Sequence, residues 1–212
     1  MKRIYVIVVF LAGMMSIQAQ QEEESYRNDE FKTIFGGREI GGYGGIGVGY
    51  SEIDSRPAVV FDARGGIILG HSLAMGVGGA GFINEYENDP ALNREVSLVG
   101  GYGGFFLEPI LLPKYPVHLS FPVLVGMGGA ANTSFVRNDN SDITQDNSVE
   151  ETSKVFLVVE PSAELEFNLT RFMRMAAYFS YRYTSDLGFE EDIPSDALIS
   201  YTVGMRIKFG KF

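Results

Sequence analysis

The strongest constraint in this sequence is an alternation of residue types with a period of two. The stretch 154–167 reads KVFLVVEPSAELEF, with apolar Val155, Leu157 and Val159 at every second position. Successive side chains of a β-strand point to opposite faces, so this period predicts a strand with one apolar face. No helical period competes with it along the chain, which favours an all-β fold.

The same alternation recurs in about eight segments, each bounded by turn-forming residues. The segments are residues 38–50, 58–70, 73–84, 94–107, 116–136, 154–167, 171–184 and 199–211. A tilted strand needs about 9–11 residues to cross a bilayer, and each segment is long enough. We therefore predict an antiparallel up-and-down transmembrane β-barrel of about eight strands, formed by residues 38–212.

The connections between these segments differ in length according to their order. Those after odd-numbered segments are long and acidic: "SEIDSRP", "EYENDPALN", "NDNSDITQDNSVEE" and "DLGFEEDIPSDAL". Those after even-numbered segments are mostly shorter: "HS", "EPILLPKYP" and "NLT". Long loops on one rim and short turns on the other are typical of outer-membrane barrels. A soluble β-sandwich is the structural alternative, but it gives no reason for this sorting of loop lengths.

The amino-terminal residues 1–19 have the pattern of a secretory signal peptide. Lys2 and Arg3 precede an apolar run, and cleavage is expected near Ala19. The run has roughly 12 residues, short of the about 20 that a membrane-spanning helix needs. We expect export to the bacterial outer membrane, with the polar and acidic residues 20–37 as a periplasmic lead-in. The formal net charge of −10 makes nucleic acid an unsuitable partner.

Glycines within the segments have two explanations. "GGYGGIGVGY" contains Gly42, Gly44 and Gly47 in the G-x-G-x-x-G spacing of a dinucleotide loop, but no helical segment follows. Similar glycine runs recur in three other segments, which suits a strand type better than a phosphate loop. We predict small residues along the inner wall: Gly41, Gly45, Gly47, Gly76, Gly78, Ala80, Gly101, Gly103, Gly126, Gly128 and Ala130.

If the apolar face points outward, the opposite parity places many charged residues inside the barrel. These are Asp62, Arg64, Glu160, Glu164, Glu166, Arg174, Arg182, Arg206 and Lys208. The interior of an eight-stranded barrel is barely wide enough for side chains, and an isolated buried charge is costly. We expect paired charges that plug the lumen, with Glu164 opposite Arg174. The alternative is a narrow pore for small solutes.

Nucleophilic and metal-binding patterns are weak in this sequence. His118 and Ser120 share one face of their segment, but no third, acidic partner is assignable. Both are predicted to fill the lumen, so we assign no catalytic, cofactor or metal residue. A lipid A-modifying enzyme is the less favoured alternative.

In its signal peptide, strands, loop pattern and final "YTVGMRIKFGKF", the chain resembles the small eight-stranded outer-membrane β-barrels of Gram-negative bacteria, of OmpA and OmpW type. "FLEPILLPKYPVHLSFPVLVGMGG" resembles uncharacterised barrels of Bacteroidetes-type bacteria. In that family a terminal aromatic residue is the insertion signal, which Phe212 matches. Phe212 has the opposite parity to Phe209, so we expect a bulge or a frayed end near Gly210.

These observations together predict a non-enzymatic outer-membrane β-barrel with a structural or surface-binding role. The expected partners are outer-membrane lipid, lipopolysaccharide and the barrel-insertion machinery. The sequence names no ligand and no cofactor.

Overall fold

The alternating segments form β-strands in the computed structural model, which describes residues 40–85, 87–89, 94–136, 153–185 and 197–212. The strands are β1 (Ile40–Ile53), β2 (Arg56–Leu69), β3 (Leu73–Asn84), β4 (Glu87–Asp89), β5 (Arg94–Leu111), β6 (Val117–Ser120), β7 (Val123–Val136), β8 (Ser153–Asn168), β9 (Met173–Thr184) and β10 (Ser200–Lys211). Among the described residues no helix is long and apolar enough to cross a membrane. The predicted signal peptide, the lead-in and much of three acidic connections lie outside the described residues.

Antiparallel pairing joins consecutive strands into a closed ring. β1 pairs with β2 and also with the last strand, β10, where Ile46 lies opposite Ile207. β6 and β7 together form one wall segment of the barrel, and we call each such segment a stave. This stave is interrupted at Pro122, which has no N–H to donate to a neighbouring strand. With β4 as a short addition beside β5, the ring closes through eight staves. The predicted all-β up-and-down barrel is confirmed.

The two faces of the ring separate apolar side chains from charged ones. On β8, Val155 is 78% exposed on the outside, whereas the next residue, Phe156, is 1% exposed inside. The same alternation places Glu164 and Glu166 inside and Leu165 outside. The predicted faces match the observed burial on the described staves, except on β5 and at the end of β2, where Leu69 was predicted to face outward but is 2% exposed.

On β5 the predicted faces are reversed. The prediction put apolar Val96, Leu98, Tyr102 and Phe106 outside, and Gly101 and Gly103 inside. Instead Tyr102 and Phe106 are buried in the barrel, and Phe105 is 76% exposed outside. Small residues on the neighbouring strand β7 make room for these rings: Gly128 lies opposite Tyr102, and a Cβ there would lie 2.6 Å from the side chain of Tyr102. The side chain of Val96 lies outside the described set.

Two connections differ from their predicted lengths. "SEIDSRP" is no long loop, because the strands continue to a two-residue turn at Asp54 and Ser55, which have φ values of 54° and 58°. Two positive φ values in succession are typical of the type I′ hairpin turn. The turn predicted over "EPILLPKYP" is shorter, because β5 continues to Leu111. Glu108 is therefore a strand residue, not a turn residue.

The barrel has two rims that the following sections distinguish. The turn end carries the connections at residues 70–72, 112–116 and 169–172, together with Phe212. The loop end carries the Asp54–Ser55 turn and the strand ends at Asn84, Val136, Ser153, Thr184 and Ser200.

Candidate functional site

The nine charged residues predicted for the lumen all lie on the inward parity of their strands. Their main group surrounds Lys208 and extends to Asp62, Arg64 and Arg174. Glu160 and Arg182 lie apart from that group, closer to the loop end.

Lys208 on β10 is the centre of the main group. Its Nζ lies 2.6 Å from Glu108 Oε1, 2.7 Å from Glu164 Oε2 and 2.7 Å from Glu166 Oε1. The ammonium group donates hydrogen bonds to Glu108 and Glu166, and it forms an ion pair with Glu164. The three carboxylates lie close enough to hold a metal ion, but the ammonium between them already supplies the positive charge.

Two arginines complete the charge balance of Glu164. Arg206 contacts Glu164 through Nη1 and donates from Nε to Asp62 Oδ1 at 2.7 Å. Arg64 Nη1 lies 3.1 Å from the same Glu164 oxygen. Tyr178 donates to the other oxygen of Asp62 at 3.1 Å, so both oxygens of this carboxylate are bonded. Charge-assisted bonds of this kind are stronger than neutral ones.

The predicted cross-strand pair of Glu164 and Arg174 is wrong. The β8–β9 connection spans Leu169–Phe172, and this longer turn places Arg174 opposite Asn168. Arg174 bonds with a different carboxylate, because its Nη1 lies 3.3 Å from Glu166 Oε2.

His118 and Ser120 converge on one carboxylate rather than on each other. His118 Nε2 lies 3.0 Å from Glu166 Oε2, and Ser120 donates to Glu166 Oε1 at 2.7 Å. Within the described residues no hydrogen bond joins Ser120 to His118, so the imidazole is not placed to act as a base for the hydroxyl group. Both side chains are buried, at 2% or less exposure. The arrangement holds a carboxylate; it does not activate a nucleophile.

Sequence reasoning missed Glu108 and the tyrosines that bond the carboxylates. Tyr43 donates to Glu108, and Tyr102 donates to Glu160 at 2.6 Å. Ser180 donates to the second oxygen of Glu160 at 2.5 Å. The sequence signal that could have identified Glu108 is the even spacing of Tyr102, Phe106 and Glu108, which places the glutamate on the same strand face as two large aromatic rings.

Arg182 differs from the other interior cations because it has no carboxylate partner in the described part of the chain. Its Nε donates to the Leu198 carbonyl at 2.8 Å, while Nη1 and Nη2 have no hydrogen-bond partner among the residues that the structure describes. The guanidinium lies 5.2 Å from the ring centre of Phe82 and 5.5 Å from that of Tyr102. Arg182 therefore sits among aromatic rings rather than in the ion network.

Inward glycines make the space that these side chains fill. A Cβ at Gly49 would lie 2.6 Å from the hydroxyl oxygen of Tyr178, and one at Gly47 would collide with Asp62. A cavity of about 20 Å³ remains beside Asp62 and Glu160. That is room for about one water molecule. The glycines of the G-x-G-x-x-G spacing lie in β1, which leads directly into another strand, so they form no nucleotide loop.

Phe212 lies at the turn end on the inward parity of β10. The β1–β10 register is unbroken as far as Gly42 opposite Lys211, so the predicted bulge or frayed end near Gly210 is wrong. The Phe212 ring centre lies 6.1 Å from that of Tyr43 and 3.9 Å from the Arg174 guanidinium carbon. Its role as an insertion signal stays a prediction.

Solved structures share this architecture. Neisserial surface protein A matches with a TM-score of 0.55 and 9% identity, over 83% of this chain and 99% of that chain. The N-terminal β-barrel domain of Pseudomonas aeruginosa OprF matches at 0.42 and 12% identity, over 79% and 96%. The attachment invasion locus protein Ail of Yersinia pestis matches at 0.38 and 14% identity, over 82% and 96%. No protein-family model matches the sequence, and no curated protein matches it significantly.

At these identities the likeness concerns the fold alone. The chain has the fold of the small eight-stranded outer-membrane β-barrels, as its resemblance to that class implied.

Proposed function

We propose that this protein is a non-enzymatic outer-membrane β-barrel with a structural or surface-binding role, whose lumen is closed by its own charged side chains. The observation that carries the proposal is that charged side chains are buried inside the barrel while apolar side chains are exposed outside, the reverse of the arrangement in a water-soluble protein. Lys208, Arg206 and Glu164 are at most 2% exposed inside, whereas large apolar side chains cover the outside. A closed sheet of this kind suits a hydrocarbon environment.

The exterior supports insertion into a bilayer. Phe61, Phe105, Met127 and Leu157 come from four different staves and are each more than 60% exposed. In water such a surface would be a large contiguous apolar patch, which monomeric soluble proteins rarely expose. The likeness to Neisserial surface protein A supports the outer membrane as the location.

Two layers support a closed lumen. The ion network crosses the interior near the turn end, where Lys208 is bonded to carboxylates from β5 and β8. Nearer the loop end, Leu98, Phe156 and Leu198 form an apolar layer, each at most 1% exposed. Water and ions would have to separate bonded charges and then pass apolar side chains, which is unfavourable.

The experiment that tests this proposal is outer-membrane fractionation combined with electrophoresis of unheated and heated samples. A barrel of this class stays folded in detergent until it is boiled, so the two samples should migrate differently. Recovery in the outer-membrane fraction with such a shift supports the proposal. Recovery as a detergent-free protein in the periplasm or medium overturns it.

A narrow pore is the second candidate, because the small cavity is lined by polar groups including Asp62, Glu160 and Arg206. Planar-bilayer recording separates the two functions. A closed lumen predicts no defined single-channel steps for the wild-type protein. Reproducible steps that change in size in Arg206→Ala would establish the pore instead.

The non-enzymatic part of the proposal has its own test. Ser120 is buried and bonded to Glu166, so no substrate reaches it without disrupting the network. Lipid A from cells with and without the protein should have the same mass. A mass change that is lost in Ser120→Ala would show a lipid A-modifying activity.

The partners we propose follow from the location. Outer-membrane lipid surrounds the apolar exterior, and lipopolysaccharide lies at the loop end. The insertion machinery recognises the last strand and Phe212. Deletion of Phe212 should reduce the amount of protein inserted in cells more than it reduces folding of purified protein in detergent; equal losses would contradict this role.

A further inference from the structure

Arg174 is an interior arginine with half of its guanidinium unused. Its Nη1 faces Glu166 and His118, at 3.3 Å and 3.2 Å. Nε is buried without a hydrogen-bond partner among the described residues, and the bonds that Arg174 makes to them come from Nη1 and not from Nη2. The residue is 5% exposed, so these donors belong to a side chain that is almost fully buried.

Nε and Nη2 lie on the same edge of the guanidinium plane. Their N–H bonds are parallel, and this edge binds carboxylate or phosphate oxygens in a bidentate manner. Packing of Phe212 against the guanidinium face limits its rotation. The unused edge is therefore a preorganised anion-binding group, not a mobile surface charge.

Arg174 lines a groove at the turn end, which we call the turn-end groove. It lies between the β5–β6 and β8–β9 connections, has a volume of about 620 Å³, and is lined by Lys114, Asn168, Thr170, Arg171, Arg174 and Phe212. Asn168 Oδ1, directly opposite Arg174 in the strand pair, also has no hydrogen-bond partner within the described part of the chain.

The charged side chains of the turn-end connections all have one sign. Lys114 and Arg171 project from adjacent turns into the same groove as Arg174. The three connections of the turn end, residues 70–72, 112–116 and 169–172, contain no Asp or Glu. Any ligand of the groove should therefore be an anion.

Apolar side chains next to these cations indicate the source of the anion. Leu112, Tyr115, Leu169 and Phe172 belong to the same two turns, and each is more than 50% exposed. Aromatic and apolar residues beside Lys or Arg are typical of positions at the lipid headgroups. A soluble anion would bind the cations but would make no contact with these apolar and aromatic side chains.

We infer that the turn-end groove binds the phosphate of an anionic phospholipid in the leaflet at that end, with the Nε/Nη2 edge of Arg174 as its bidentate ligand and Lys114 and Arg171 as flanking charges. This inference rests on the proposed function, because it requires the barrel to lie in a membrane.

Native mass spectrometry of the folded barrel tests the inference. The protein is presented in detergent with equal amounts of phosphatidylglycerol and phosphatidylcholine, and bound lipid is counted. The variants are Lys114→Gln/Arg171→Gln and Arg174→Lys, which keeps a positive charge but lacks the bidentate edge. Lys211→Gln removes an exposed charge of the same end that does not line the groove, and is the matched control.

Wild type and Lys211→Gln should retain phosphatidylglycerol in preference to phosphatidylcholine. Each basic residue near an anionic lipid contributes enough that losing two should weaken binding about 30-fold. Arg174→Lys should also lose the preference. Equal retention by all proteins, or equal loss in Lys211→Gln, overturns the inference.

Three further outcomes are distinguishable. Displacement of the bound lipid by millimolar glycerol 3-phosphate would show that a free phosphate suffices and would overturn the lipid assignment. A protein that shows no heat-dependent migration and does not insert into vesicles contradicts the proposed function. A protein that inserts and migrates as expected but shows no lipid preference contradicts only this inference.

Discussion

Replacing Lys208 with methionine is the most informative perturbation of the interior. The methionine keeps most of the aliphatic volume but removes the ammonium that contacts Glu108, Glu164 and Glu166. Glu164 keeps Arg206 and Arg64 as partners, whereas among the described residues Glu108 keeps only the hydroxyl group of Tyr43. The variant therefore leaves an uncompensated buried carboxylate.

The magnitude follows from the burial of the partners. Lys208 is 2% exposed and the three carboxylates are fully buried, so solvent screens none of these contacts. Removal of one partner of a buried ion pair costs about 3–5 kcal/mol. We expect Lys208→Met to lower the free energy of unfolding by about this amount. Lys208→Met/Glu108→Gln should recover part of it, because the amide removes the unpaired charge and still accepts from Tyr43.

The assay is urea unfolding in lipid vesicles, followed by the fraction of protein that retains folded electrophoretic mobility. Lys211→Met, an exposed position on the same strand, is the control and should change stability by less than about 0.5 kcal/mol. Equal unfolding midpoints for Lys208→Met and Lys211→Met would refute the reasoning. So would a double variant less stable than Lys208→Met.

Two further predictions concern packing in the same interior, each with unfolding midpoints as the measurement. Arg182→Met should leave stability unchanged or raise it, because two of its nitrogens have no partner in the described ranges and two aromatic rings lie beside it, whereas Arg206→Met should cost about 3–5 kcal/mol. Equal losses in both would contradict this. Gly49→Ala should cost about 1–3 kcal/mol because its Cβ meets Tyr178, whereas Gly44→Ala meets no atom within 4 Å and should be neutral or stabilising. A tolerated Gly49→Ala would be inconsistent with the tight inner wall.

Periodicity predicted the fold well because a barrel wall obeys one simple rule. Each strand alternates between two environments, so a single parity assigns every residue of that strand to a face. Glu164, Arg206 and Lys208 were placed inside on this basis, and they are buried there.

The reversed faces of β5 show where that rule fails. Its even positions carry Tyr102 and Phe106, and its odd positions carry Phe105 together with glycines. Both parities contain large apolar residues, so hydrophobicity alone does not choose between them. The choice depends on space left by glycines on other strands, which a reading of one strand does not include.

The strand registers and the turn lengths also could not be predicted from the sequence. The pairing of Arg174 with Asn168 depends on two backbone bonds to the Met173 carbonyl, from Leu169 and Thr170. No residue type in "NLT" specifies that arrangement. The Asp54–Ser55 turn has positive φ values in residues other than glycine, so it lacks the usual sequence signal.

The sequence also did not predict that the Nε/Nη2 edge of Arg174 lacks a hydrogen-bond partner among the described residues. Which of its nitrogens bond to Glu166 depends on side-chain geometry, not on the spacing of charges. Sequence reasoning gave Arg174 an interior ion pair and nothing more.

The most direct test of the barrel's orientation toward lipid is a spin label at Phe105→Cys, compared with Lys114→Cys, in reconstituted vesicles. Phe105 is 76% exposed on the outer face of β5, the strand whose faces the sequence did not predict. The structure predicts that the label at 105 collides readily with oxygen and hardly with a water-soluble nickel chelate, while the label at 114 shows the reverse. A label at 105 that is open to the chelate and shielded from oxygen would contradict a lipid-facing exterior.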